Sequence, residues 1–184
     1  MVFIQDFPSG IYNIIYADPP WEYNDKSLHR GGALRHYRTM SLSEVCGLPV
    51  NSISASDSLL FLWATFPNIE KAFKVINAWG FTYKTIGFNW IKTNKNGSIY
   101  KGMGHYTRSN PEVCLLARKG KGLVRLDKSI SSVVVAPRRK HSQKPDEVRN
   151  LIVRAFGDVN RIELFSRKSY VGWSCWGDDM DLVE

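Results

Sequence analysis

The 184 residues are 43% hydrophobic and 23% charged, a balance that can bury a core within one domain spanning 1–184 and that excludes a disordered segment. Lys and Arg total 25 against 17 Asp and Glu, leaving a formal charge of +8 that favours a polyanionic partner. Polar residues interrupt every apolar stretch and no basic-then-apolar leader opens the chain, so a membrane span and a signal peptide are both excluded and the expected location is the cytoplasm.

In chain order, residues 11–17 form an apolar, β-branched and aromatic run that stops at Asp18-Pro19-Pro20. A buried strand turning sharply into a loop explains that pattern. Residues 22–40 are polar and read as a long loop. Ser41 and Glu44 make a capping box that starts a short helix over 41–48. A strand is expected at 59–63. Ile69, Ala72, Phe73, Ile76 and Trp79 recur at helical spacing, so a helix covers 68–79 and stops at Gly80. Residues 81–92 read as strand, 93–110 as a second long loop, 112–117 as strand, 119–122 as a turn and 132–136 as strand. A basic loop over 138–144 leads to a helix over 145–156, with Pro145 in its first turn and Gly157 as its stop. The last strand is 161–165. Strands alternating with helices imply an α/β fold with a mostly parallel sheet, antiparallel at the edge built from 81–136.

Cys46, Cys114 and Cys175 are scattered, as are His29, His36, His105 and His141. Neither set has a metal-binding spacing, so no metal is expected, and the cysteines fit a reducing compartment. No G-x-G-x-x-G follows the first strand, which rules out the ordinary dinucleotide fingerprint.

Asp18-Pro19-Pro20-Trp21 carries the chemistry. In open α/β sheets ligands bind beyond the carboxyl ends of strands, where this tetrapeptide falls. The exocyclic amine of adenine is a poor nucleophile, because its lone pair is delocalised into the ring. A carboxylate accepting one N–H and a rigid prolyl carbonyl accepting the other would pull that nitrogen toward tetrahedral geometry. Trp21 offers a face on which a flipped base could stack.

With its neighbours, this motif resembles the DPPW-type adenine-amine methyltransferase family. That family includes the catalytic subunit of the eukaryotic mRNA adenosine methyltransferase and small bacterial and phage DNA adenine methyltransferases. The similarity runs from about residue 11 to 179. It rests on Tyr37-Arg38-Thr39-Met40, Leu48-Pro49, Leu62-Trp63, Trp90-Ile91-Lys92-Thr93, Lys144-Pro145-Asp146-Glu147, Glu163-Leu164-Phe165-Ser166-Arg167 and Gly172-Trp173-Ser174-Cys175-Trp176-Gly177. It implies a Rossmann-like, S-adenosylmethionine-dependent fold whose catalytic motif precedes its cofactor-binding segments. By this resemblance Asp18, Lys144, Arg167, Ser169, Asp178 and Asp179 border the cofactor. Lys144 would pair with the methionyl carboxylate, and Arg167 with the 177–179 tail would hold the ribose. Asp178 and Asp179 stand where many relatives carry Asn and an amide or acid, and the eukaryotic subunit has a His near Ser169.

Interleaved cations and aromatics suit phosphate contact and base stacking. Arg30, Arg35, His36, Tyr37 and Arg38 follow the catalytic motif. Lys101, His105, Tyr106 and Arg108 lie in the second loop, and Arg138, Arg139, Lys140 and His141 in the third. Lys92 and Asn110 flank the second loop, and Asn110-Pro111-Glu112 would help to shape the substrate pocket. DNA is the expected partner, with RNA as the alternative. An inactive nucleic-acid-binding subunit is a third reading, opposed by the intact tetrapeptide. The sequence leaves room for a homodimer.

Overall fold

The computed structural model of the chain describes residues 6–22, 39–104, 106–139 and 143–177. Seven strands make one mixed sheet: β1 (Tyr12–Ala17), β2 (Ser54–Ala64), β3 (Thr82–Thr93), β4 (Glu112–Lys119), β5 (Val133–Pro137), β6 (Arg161–Leu164) and β7 (Ser174–Trp176). Their order is β5-β3-β4-β2-β1-β6-β7. The helices are α1 (Leu42–Cys46), α2 (Val50–Ile53), α3 (Ile69–Ala78) and α4 (Glu147–Phe156).

Alternation along β1 sets the layering. Ile15 and Ala17 face a core built with Val45 of α1 and with Ala72, Val75 and Ile76 of α3. Ile14 and Tyr16 face the opposite core, built with Val148 and Ile152 of α4. Each strand side chain thus has an apolar partner above or below, the requirement for a parallel sheet covered on both faces. The capping box of α1 forms as expected, with Glu44 N–H donating to Ser41 Oγ and Ser41 N–H donating to Glu44 Oε2. Gly80 ends α3 at φ +79°, a conformation that favours glycine. Phe73 is half exposed instead of buried, edge-on to Tyr83 at 5.0 Å between ring centroids.

Three features depart from the sequence expectation. The region 81–136 is antiparallel only in part: β4 runs against both β2 and β3, as expected, but the outermost pair, β3 and β5, is parallel. The segment after β4 carries the chain past β3 to the outer edge, so the reversal lies inside the sheet. Second, β2 begins at Ser54, five residues before its apolar run. Its polar start is held by Lys119, whose Nζ donates to the carbonyls of Asn51 and Ser54 at 3.2 Å. Third, α2 and β7 are short elements made by tertiary packing without a periodic signal of their own. α4 starts two residues after Pro145, whose carbonyl accepts the Val148 N–H at 3.3 Å.

Because β1, β2, β3, β5 and β6 run the same way, their carboxyl ends meet at one rim. The reversal of β4 brings its first residue, Glu112, to that rim as well, opposite Trp90 of β3.

Candidate active site

Asp18 follows directly on β1, and the two prolines after it cannot continue the ladder. The turn is fastened on both sides. Trp21 N–H donates to the Pro19 carbonyl at 2.8 Å, and Met40 N–H donates to the Pro20 carbonyl at 2.9 Å. Trp21 Nε1 donates to the Trp63 carbonyl at 3.0 Å, and the ring is only 4% exposed. Trp21 is therefore a core anchor that sets the course of the turn. The expected stacking face for a base is used up in packing.

A buried chain of charges lies behind the turn. Lys144 Nζ donates to Asp18 Oδ2 at 2.6 Å and lies 3.2 Å from Glu112 Oε2. Lys92 Nζ reaches Glu112 Oε1 at 2.6 Å. The lysine is 5% exposed at its side chain and the aspartate 24%, so the carboxylate is the member of the pair that opens toward the rim. Desolvation pushes the Asp18 carboxyl above its ordinary range, against the pull of Lys144. Desolvation also works against the charge on Glu112, yet Lys144 and Lys92 together hold it below the usual carboxylate range. Lys144 loses by desolvation and gains more from Asp18 and Glu112, so its proton is held more firmly than in water. The ammonium ion that the sequence reserved for a methionyl carboxylate is thus engaged by Asp18 and Glu112. Two facing carboxylates and low exposure make it an internal partner of Asp18.

The site's other wall is the end of β6. Phe165 adopts φ 63°, a left-handed conformation that costs energy in a non-glycine residue and turns the chain sharply beside Asp18. Ser166 N–H donates to the Trp176 carbonyl at 2.9 Å, and a side chain at Gly177 would meet the Ser166 carbonyl at 2.1 Å. Arg167 and Ser169 follow this turn and are exposed. The positive charge of Arg167 acts on Asp18, lowering its proton affinity.

Below the site lies a second buried network absent from the sequence reading. Arg149 grips Glu163 through Nε and Nη2 at 2.5 and 2.6 Å, and its Nη1 donates to Asp146 at 2.9 Å. Its guanidinium lies 3.6 Å from the centre of the Tyr170 ring. A glutamate between Ile162 and Leu164 in an apolar strand was the one available sign of a buried counter-ion.

The basic residues assigned to substrate divide in two. Arg139 pairs with Asp146 and Glu147 at the surface, and Lys92 with Glu112 in the buried chain of charges. Asn110 is a loop staple: its Oδ1 accepts the Lys92 N–H, and its Nδ2 donates to the carbonyls of Lys92 and Tyr100. Both Nδ2 hydrogens are thereby used within the loop. Arg138, Tyr106 and Arg108 are exposed. Arg30, Arg35, His36, Tyr37, Arg38, His105, Lys140, His141, Asp178 and Asp179 lie outside the described residues. Among the described residues no three His, Cys, Asp or Glu side chains converge as a metal site, and no helix is long and apolar enough to cross a membrane.

The MT-A70 family profile matches residues 12–179, nearly the whole of this arrangement. The chain belongs to the MT-A70 family. Its mixed α/β sheet is the Rossmann-like methyltransferase fold expected of that family. The MT-A70 chain is 34% identical over 188 residues to the type II methyltransferase M.MunI of Mycoplasma sp, covering 92% of this chain and 78% of that protein. It is 32% identical to a probable N(6)-adenosine-methyltransferase MT-A70-like protein of Oryza sativa subsp. japonica, over 95% of this chain and 24% of that one. It is 30% identical to the human N(6)-adenosine-methyltransferase catalytic subunit METTL3, over 94% of this chain and 29% of that one. The chain therefore spans less than a third of these plant and animal relatives.

Proposed function

We propose that this MT-A70 chain transfers a methyl group from S-adenosylmethionine to the exocyclic amine of adenine in DNA. The observation that carries the reading is the Asp18 carboxylate at the carboxyl end of β1, backed by buried Lys144. When bound, S-adenosylmethionine supplies a methyl group on a positively charged sulfur. The residues at the rim fit such a group: Arg167 offers a cation for its carboxylate, and the tight turn at Phe165-Ser166 brings backbone close to the mouth. With Lys144 held by Asp18 and Glu112, the carboxylate-binding role passes to Arg167.

Asp18 accepts one N–H of the amine, concentrating the lone pair on nitrogen. The Pro19 carbonyl accepts the other through its second lone pair, the first being taken by Trp21 N–H. The Pro20 carbonyl is occupied by the bridge to Met40. On gaining a methyl group the amine would give up one proton, and Asp18 is the group placed to take it. Lys144 keeps Asp18 ionised and aimed, an electrostatic role that needs no reorganisation during the reaction. The target amine is enclosed in the duplex, so the base must leave the stack to reach Asp18.

DNA is favoured over RNA because the match to M.MunI covers 78% of that protein, whereas the METTL3-type matches cover 24–29% of theirs. Such an enzyme would work in the cytoplasm of a bacterial or phage-infected cell. The test is parallel incubation of DNA and RNA with labelled S-adenosylmethionine, followed by mass analysis of the nucleosides. N6-methyladenine in DNA is the expected product. Label confined to RNA would transfer the reading to RNA, and label in neither would end it.

A further inference from the structure

Arg138 is a rim cation with no ion pair to a described carboxylate and with its guanidinium held against an aromatic ring. Lys144, Lys92 and Arg139 are each paired with carboxylates. Arg138, one residue beyond β5, is exposed, and its guanidinium carbon lies over the Tyr100 ring, 4.1 Å from the centroid. Both halves of this pair are anchored to β3. Arg138 N–H donates to the Thr93 carbonyl at 3.1 Å, and Tyr100 N–H to the Lys92 carbonyl at 2.9 Å. Asn110 also holds the Tyr100 carbonyl, at 2.5 Å. The same β3 end carries Lys92, which connects through Glu112 and Lys144 to Asp18. The pair therefore stands at the same rim of the sheet as Asp18.

An arginine resting on an aromatic ring has one face covered, while its N–H donors remain available at the edge in a set plane. That fork matches a phosphate and an in-plane pair of base acceptors alike, and its place at the rim that carries Asp18 puts it within reach of base edges beside the target. Guanine presents O6 and N7 side by side in the plane of the base, which suits it. We propose that Arg138, oriented by Tyr100, reads a guanine close to the target adenine in duplex DNA. This rests on the adenine-methylation reading above and adds a specificity-determining residue to it.

The full chain would be used to methylate plasmid DNA, and the modified adenines mapped by sequencing that detects N6-methyladenine. A fixed guanine in the methylated motif is expected. Arg138→Gln should still methylate adenine but lower the preference for that guanine roughly ten- to hundred-fold in kcat/KM. Replacing the guanine by 7-deazaguanine, which keeps base pairing and loses N7, should slow the wild type and leave Arg138→Gln unchanged. Tyr100→Leu should lower the same preference by removing the platform, with its melting curve recorded to show that it folds. The proposal is overturned if Arg138→Gln retains the wild-type motif. It is equally overturned if the variant weakens all sequences alike and reduces the salt slope of binding by about one, the mark of a phosphate contact. A wild type that methylates no adenine in DNA would sink the functional reading itself, a result distinct from either of these.

Discussion

In the proposed reaction Asp18 has to meet two conflicting demands: enough access to touch a base, and enough burial for its charge to act strongly. The structure meets both by leaving the carboxylate partly open and placing its lysine behind it, 2.6 Å away. Asp18→Asn keeps the shape and removes the charged acceptor, so kcat should fall about 100- to 1000-fold with the fold retained by circular dichroism. Single-turnover methyl transfer measures it, and near-normal rates would place the catalytic acceptor elsewhere. The pH dependence follows from the raised proton affinity of Asp18. Its ionised form accepts the amine N–H, so the rate should climb with pH through a limb lying above the ordinary aspartate value of about 3.9. Lys144→Met removes the main influence favouring ionisation and should move that limb further up. At neutral pH kcat then drops, and raising the pH restores part of it. A limb that stays put in the variant would make Lys144 a merely structural cation. The place of Asp18 at the carboxyl end of a buried strand was legible in the apolar run and the tetrapeptide that ends it. The inward turn of Lys144 was not, because a lysine before a helix has the same sequence appearance whether it faces a ligand or a buried acid.

The elements differ in how openly the sequence announces them. β1 and α3 have a clear period and a clear stop, and both appear within a residue or two of expectation. β7 has three residues and α2 four, too few for any period to show. The direction of β4 depends on which strand the chain bypasses afterwards, a long-range matter invisible to local pattern. The joint between α4 and β6 is a further case, since nothing in the local pattern marks Arg149 as buried. In the structure it grips Glu163 with two nitrogens among buried residues. Removing one partner of such a pair leaves the other desolvated and unmatched. Arg149→Ala should therefore destabilise the protein by about 3–5 kcal/mol, lowering the melting temperature by roughly 6–20 °C. Differential scanning calorimetry would show it. Arg149→Ala paired with Glu163→Ala should lose less than the sum of the two single variants, and strict additivity would mean that the contact contributes nothing.

For the molecule as a whole, the +8 charge predicts binding that weakens steeply with salt. Several of the cations are tied up internally, so the slope should be smaller than a count of Lys and Arg suggests. About five phosphate contacts would cost roughly 500-fold in affinity between 50 and 200 mM salt. Fluorescence anisotropy with a short duplex would measure this, and a flat response would argue against a polyanionic partner. The reversal of β4 has a separate consequence. The segment 94–111 leaves β3 and enters β4 at the same rim, with Asn110 clasping its base through Lys92 and Tyr100. Its two stems are neighbours within the sheet, so whatever lies between them can be lengthened, shortened or exchanged without moving a strand. The scaffold thus has a socket at the rim that carries Asp18. Under the proposed function, new sequence preferences could be acquired there by swapping an insert, while Asp18 stays in the turn after β1, two strands away from the nearer of the insert's stems.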